Sequence, residues 1–448
     1  MPARPPPNRT TAADYRFHVY DYDNSARAWE LSPPQPERDG MRFFSMVQDL
    51  DGLLKFGQAN AVPNIALQDI GEEITDDNVV RHIKALSFGG PTPLRRNTPE
   101  VVITGGIHAR EWVAPEMAYL LAEYLIMHYS DAVFLRNRYK KFIQRLLRTR
   151  RIHVIPMLNP AGNCHTVFSP GANARMWRKN RHALPDNAQD WELNLTDGHG
   201  DEWPPFRNVR KRRDVTRYDV PRYPPGAHPQ FDTVALPNER NIGVDLNRNC
   251  TTPFFGYNAQ FRGDIPRNAT PGEPVYFGLR AGSERETQSV QGFLARKLVR
   301  TSIDYHSYGE SILYPEELLD GGWVNADFKA LAELLSQLIE SYLLQTGADL
   351  AGSPATGTLA DHIGIECRSR SFVIELDPKK GDAAGFQLPP DQIQAVFEKN
   401  IRAALALIAA AGGPSTTTCC CFGRRTVSTG ERELLDWQVA GRGNRLPV

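Results

Sequence analysis

Four short apolar runs set the strongest limit on what this chain can fold into: "EVVITGG", "RRIHVIPMLNP", "TSIDYHSY" and "SFVIEL". Each reads as a strand bounded by Gly, Pro or a polar turn, and between them lie stretches whose apolar residues recur every three or four positions. After the first run, Met117, Leu120, Leu121, Tyr124 and Leu125 fall at helical spacing. After the last, Ile393, Val396, Phe397, Ile401, Leu405 and Ile408 form the stripe of a helix predicted from about Pro390 to Ala411. Further helices are predicted over "SERETQSVQGFLARKLV" and "FKALAELLSQLIESYLL". Strand-like runs alternating with helices define an α/β domain, because helices must cover the faces of the sheet.

The periodic region begins near residue 41 and ends near 413, so 41–413 is read as one large domain. Residues 1–40 read as an irregular arm, and 414–448 as a tail with no sustained pattern. Between about 182 and 241 the periodicity fails amid Pro, Asp, Arg and Trp, which marks a long irregular insertion. Its run "RNVRKRRD" is read as a solvated face. Hydrophobic residues make up 41% and charged residues 23%, enough apolar material for a sizeable core. The 52 basic residues balance 52 acidic ones, so the whole chain offers no electrostatic case for nucleic acid or membrane as a partner. The start, "MPARPPPNRTTAADYRF", lacks an apolar signal region, which leads to the expectation of a cytoplasmic protein. Cys164, Cys250 and Cys367 are dispersed and Cys419, Cys420 and Cys421 are adjacent, a pattern read as reduced thiols rather than a disulfide framework.

The chemistry concentrates at strand ends. A catalytic zinc site needs three protein ligands on rigid elements and an open fourth position. In "GGIHAREW", His108 and Glu111 leave the strand "EVVIT" on one short turn, a spacing that lets an imidazole and a carboxylate meet on one ion. His306 in "SIDYHSYGE" ends a second predicted strand, and strand ends of open α/β sheets are where ligands bind. A bare H-x-x-E is weak by itself: His199 and Glu202 repeat it inside the irregular insertion, with no strand to hold them, and that copy is read as accidental.

These segments resemble, in order along the chain, the motifs of the zinc metallocarboxypeptidase family, carboxypeptidase A type. "GIHAREW" is similar to its first zinc motif, "SIDYHSY" to the segment of its second zinc histidine, and "MWRKNR" to the segment of its oxyanion arginine. "GVDLNRN" resembles the Asn-Arg pair that receives the substrate carboxylate, "FVIEL" the strand of the catalytic glutamate, and "GFQLPPDQI" the turn that follows it. The resemblance implies a mixed central β-sheet flanked by helices and one Zn2+ held by His108, Glu111 and His306. It implies Glu375 as general base, Arg181 as oxyanion stabiliser, and Asp245 as the carboxylate behind His108. Asn247 and Arg248 would hold the free carboxylate of a peptide substrate, with Arg110, Arg178, Tyr308 and Phe386 around them. A monomer is expected.

The chain departs from the family pattern: the gap from Arg181 to Asp245 is much longer than usual because of the insertion, and two substrate-contact positions differ or need assigning. The tyrosine that caps bound substrate falls at Ser353. The pocket-floor residue falls at Ala360, and an uncharged floor implies apolar or aromatic C-terminal residues; Asp361 is adjacent, so a shift of one residue would reverse that inference. Two other functions stay open: a catalytically silent zinc- or peptide-binding relative, and a zinc amidohydrolase acting on cell-wall peptides or N-acyl amino acids.

Overall fold

A computed structural model describes residues 41–74, 80–129, 140–169, 172–184, 242–252, 272–315, 324–339, 341–351, 355–382, 385–386, 388 and 392–412. The arm at 1–40, nearly all of the insertion, the tail, Ser353, His199 and Glu202 lie outside them. Eight strands form one mixed sheet: β1 (Ala66–Ile74), β2 (Val80–Gly89), β3 (Glu100–Thr104), β4 (Arg151–Ile155), β5 (Val299–Gly309), β6 (Ser311–Tyr314), β7 (Leu343–Thr346) and β8 (Arg370–Lys379). Their spatial order is β1-β2-β4-β3-β5-β8-β6-β7. The central four, β4, β3, β5 and β8, are mutually parallel, and antiparallel pairings attach β2 to β4 and β6 to β8. The mixed sheet flanked by helices is the architecture expected.

Period-2 alternation decides which side chains face which layer. Val101 and Ile103 of β3, Ile303 and Tyr305 of β5, and Phe372 and Ile374 of β8 join one core cluster. That cluster is closed by α1 (Met41–Ala59), α2 (Val113–Tyr129), α3 (Lys140–Thr149), α7 (Ala326–Leu338) and α10 (Ile393–Ala410). Val102, pointing the other way, packs with Leu246, with Val290 and Leu294 of α6 (Arg285–Leu294), and with Leu359 and Ile363 of α9 (Leu359–Glu366). Asp304, His306 and Glu375 occupy that second face by the same alternation. The remaining helices are short: α4 (Pro160–Phe168), α5 (Ala172–Arg175) and α8 (Gly347–Ala351).

Helix α2 is apolar nearly all round, and every residue from Val113 to His128 is buried. The helix predicted over "FKALAELLSQLIESYLL" stops at Leu338, because Leu343 and Leu344 pair instead with Ser311 and Ile312 as strand β7. The helix predicted over "SERETQSVQGFLARKLV" likewise ends at Leu294, releasing Val299 to open β5. The described cysteines, Cys164, Cys250 and Cys367, are free thiols. No helix among the described residues is long and apolar enough to cross a membrane.

Burial of polar groups in this core has a pH signature. His128 stacks on Tyr124 at 3.9 Å between ring centroids and donates from Nδ1 to the Tyr124 carbonyl at 2.8 Å. Burial pushes its pKa down from 6.5 to about 4. Since the folded value lies below the unfolded one, the unfolded chain binds the extra proton between them, so stability is lost as pH falls from about 6.5 to about 4. A His128→Gln variant should lose less stability than wild type across that window, by up to about 3 kcal/mol. Urea unfolding at several pH values measures it; parallel curves for the two proteins would contradict the assignment.

Candidate metal centre

His108 stands in the loop that follows β3, and three anchors fix that loop. Gly106 adopts φ +65°, where a Cβ would lie 3.1 Å from the Pro156 carbonyl oxygen, so the turn requires glycine. The Asn159 amide donates to the carbonyls of Ile107 and Lys179, and the Ala109 N–H donates to the Arg178 carbonyl. The Trp112 indole donates to Thr166 Oγ1 at 2.8 Å, holding the far end of the loop. His306 needs no loop: it sits within β5, directly across the parallel ladder from Glu375 on β8.

The fold brings His108, Glu111 and His306 together, with their potential ligand atoms all within 4.8 Å of one another. The His108 and His306 Nδ1 atoms face each other at 3.1 Å, and Glu111 lies 2.7 Å from one and 3.0 Å from the other. All three side chains are buried. The Ser307 N–H donates to Glu111 Oε2 at 3.2 Å and helps to fix the carboxylate. Behind His108, Nε2 is 3.2 Å from Asp245 Oδ1, and Asp245 in turn accepts from Arg178 Nε at 3.0 Å. Against the cost of burial, Arg178, His108 and Arg248 hold the Asp245 carboxyl well below its usual range.

Asp304 was not singled out from the sequence. Its Oδ2 lies 3.0 Å from His306 Nε2, and its Oδ1 accepts from Thr104 Oγ1 at 2.7 Å. Both imidazoles are thus backed by a buried carboxylate that takes the Nε2 proton, which leaves both Nδ1 atoms as lone-pair donors aimed at one point with a carboxylate beside them. Such a set needs a positive charge between its members, a proton on the imidazole when the site is metal-free or a metal ion that displaces that proton, so the residues fit a zinc ion. Opposing the desolvation of burial, Asp304 and Glu111 hold His306 well above its ordinary pKa, and His108 and His306 hold Glu111 below its own. The missed signal was D-x-H on a strand, a spacing that puts both side chains on one face.

Next to this cluster lies a cavity of about 160 Å³ lined by Glu375, Arg110, Arg178, Asn247, Arg248, Tyr308 and Phe386 together with the three candidate ligands. Tyr308 and Phe386 pack edge-to-face at 4.8 Å, and the Arg110 guanidinium lies 4.1 Å over the Phe386 ring. Arg175, also missed, donates to the Phe386 carbonyl at 2.7 Å and stacks on Trp112 at 3.5 Å. Asn247 Oδ1 accepts from the Leu359 N–H, tying the site to the start of α9. Burial pushes Glu375 up to about 8, with His306 opposing and Glu111 reinforcing the rise.

Two expectations are corrected by position. Arg181 does not line the cavity; it lies over the Trp177 ring at 4.8 Å, with Nη1 3.5 Å from His165 Nε2. Arg178 occupies the place expected for it, 4.0 Å from Glu111, because the loop held by Asn159 and Ala109 turns residue 178 inward. Ala360 is not in the cavity wall either: it lies behind it, clustered with Leu313 and Val373, which do line it. The neighbouring Asp361 reaches the wall, its N–H donating to Thr358 Oγ1 and its carboxylate accepting from the same hydroxyl.

The comparisons with known proteins agree with this geometry. The family described as zinc carboxypeptidase matches residues 78–403, and the chain belongs to that family. It is 25% identical over 318 residues to carboxypeptidase O of Bos taurus, a match covering 68% of this chain and 63% of that protein's length. Over 151 residues, 32% of this chain and 31% of the relative, it is 30% identical to a Saccharomyces cerevisiae protein described as an inactive metallocarboxypeptidase. The fold resembles the crystal structure of carboxypeptidase A from Helicoverpa armigera with a TM-score of 0.50, at 18% identity, covering 81% of this chain and 71% of the other. The cytoplasmic expectation is overturned: related carboxypeptidases O, B and A are secreted or membrane-associated extracellular enzymes.

If Asp304 orients His306 as these distances imply, Asp304→Asn should weaken zinc binding about 10- to 100-fold, as loss of such outer partners does elsewhere. Competition against a chromophoric chelator would measure the change, with circular dichroism as the control for folding. An unchanged zinc affinity would show that Asp304 is a structural group only.

Proposed function

We propose that the chain is a carboxypeptidase that removes the C-terminal residue of a peptide, using one zinc ion held by His108, Glu111 and His306. The supporting observation is that these three side chains, Glu375 and two arginines, Arg178 and Arg248, all line one cavity. Zinc bound there would supply a Lewis acid and an acidified water near neutral pH. The domain doing this work is taken as 41–413, with 1–40 and 414–448 as appendages.

Each remaining task falls to a group of this chain. Glu375 accepts the proton of the attacking water on its carboxylate and returns it to the departing amine. Arg178, anchored on Asp245, presents a fixed guanidinium to the oxyanion that develops on the scissile carbonyl. Arg248, with the Asn247 amide beside it, takes the substrate's terminal carboxylate through charge-assisted hydrogen bonds. Holding that carboxylate at a fixed distance from the ligand cluster selects the last peptide bond and excludes internal ones.

Apolar or aromatic C-terminal residues are the preferred class, because Leu313, Leu350 and Val373 supply the wall in front of Ala360. Asp361 shares that wall, but its carboxylate is engaged by Thr358. A silent binding protein is the second reading, favoured by the inactive yeast relative.

Glu375→Gln should lower kcat about 10²- to 10⁴-fold while zinc content stays near one per chain. Full turnover by the variant would contradict the assigned base, and peptide binding without hydrolysis by zinc-loaded wild type would favour the silent reading. A panel of blocked dipeptides and N-acyl amino acids should show faster release of Phe or Leu than of Lys, Arg or Glu. Faster release of Lys or Arg would assign Asp361 to substrate.

A further inference from the structure

Neutral overall charge hides a local asymmetry at the end of the sheet opposite the cavity. The four parallel strands all begin at one edge, and each is entered through a connection that carries exposed arginine. Arg95 and Arg96 precede β3, Arg148 precedes β4, Arg296 precedes β5, whose second residue is Arg300, and Arg368 precedes β8. All six are exposed. The ladders place them as neighbours: Glu100 of β3 aligns with Arg151 of β4 and Val299 of β5, and Thr301 of β5 aligns with Arg370 of β8. Three strand spacings make the row about 14 Å wide. Arg300 lies six positions before His306 on the same strand, about 20 Å from the metal centre, so this edge is separate from the catalytic cavity.

The segments 90–99, 147–151, 295–300 and 367–370 that build this edge carry no acidic residue; the acids that border them are Glu100, whose carboxylate lies 2.7 Å from His153 Nε2, and the exposed Glu366, so six outer arginines face one outer carboxylate. Their other cations are turned inward and engaged. Arg150 and Arg370 donate to the Ala409 and Ala410 carbonyls at the C-terminus of α10, Arg151 donates to the Asn64 carbonyl, and Lys297 lies 3.9 Å over the Phe293 ring. The half-buried cations therefore stiffen the edge, while the six outer arginines, one on β5, one in the last turn of α3 and four in the connecting loops, are exposed to solvent.

We propose that this edge binds a linear sulfated polysaccharide. Guanidinium groups match the oxygens of sulfate and phosphate through paired hydrogen bonds, and every outer cation here is arginine rather than lysine. The same segments contain no Phe, Tyr or Trp, the stacking platforms by which single-stranded nucleic acid is held. Against an anionic bilayer they offer one exposed large apolar side chain, Leu94, where surface-seeking elements present a whole apolar face. The extracellular setting of the related carboxypeptidases is where sulfated glycans occur. Binding here would tether the domain with its cavity facing away from the glycan. The inference does not depend on catalysis.

The test uses the full chain, heparin fragments of defined length, a DNA duplex of equal charge, and vesicles containing anionic lipid. Heparin should bind with an affinity that falls steeply as salt rises. A triple substitution, Arg96→Ser, Arg296→Ser and Arg300→Ser, should weaken it by at least about tenfold. These positions are exposed, so the thermal midpoint should not move; Arg181→Ser, away from the edge, serves as a charge-loss control and should leave heparin affinity unchanged. Failure to bind heparin, equal weakening by the control, or an unaffected triple variant would overturn the proposal. DNA or vesicles bound as tightly as heparin would overturn its assignment to a sulfated glycan.

Discussion

Two imidazole nitrogens and a carboxylate face one another within about hydrogen-bond distance in a buried pocket, and each imidazole has its other nitrogen committed to an aspartate. Everything else in the site is arranged around relieving that concentration of lone pairs. Around the ligand cluster itself the acidic groups are Glu111, Asp245, Asp304 and Glu375, with Arg178 on Asp245, while Arg110, Arg248 and Lys380 line the cavity beside it. A divalent cation is the charge such a pocket lacks, and the same imbalance explains why the site's carboxyls shift in opposite directions. Glu111 and Asp245 have cationic partners and are driven down, whereas Glu375, with carboxylates for neighbours, is driven up by burial.

The sheet makes this concentration sustainable. Parallel pairing of β3, β5 and β8 fixes the register that sets His306 beside Glu375 and brings the His108 loop to the same edge. One face of those strands is filled by the large apolar cluster beneath α2 and α10, so the polar residues are confined to the other. The opposite ends of the same strands collect arginine. One topology thus separates the candidate metal centre from an arginine-bearing edge.

Much of this was legible in the sequence. The runs that became β3, β4, β5 and β8 are short and rich in Val and Ile, and the stripe of α10 is unbroken from Ile393 to Ile408, so period alone identifies them. Strand β7 was not legible, because "SYLL" continues a helical pattern and only pairing with β6 reveals it as a strand. The three candidate ligands and Glu375 were legible because each sits in a motif tied to a strand, His108 and Glu111 just past β3 and His306 and Glu375 within β5 and β8. Arg181 was misplaced because "MWRKNR" offers two arginines, and which one turns inward depends on hydrogen bonds from Asn159 and Ala109, residues distant from the motif. Asp304 lay in plain view, but its role requires knowing that its strand face points at the imidazole. Subcellular setting is not written in the folded domain, and that expectation failed for this reason.

The central claim is that His108, Glu111 and His306 share one cation. X-ray diffraction from zinc-soaked crystals, collected on both sides of the zinc absorption edge, tests it most directly. The account predicts one strong anomalous peak about 2.0–2.2 Å from His108 Nδ1, His306 Nδ1 and a Glu111 oxygen, absent below the edge. A zinc peak elsewhere, with these three side chains unmoved and no density between them, would contradict it.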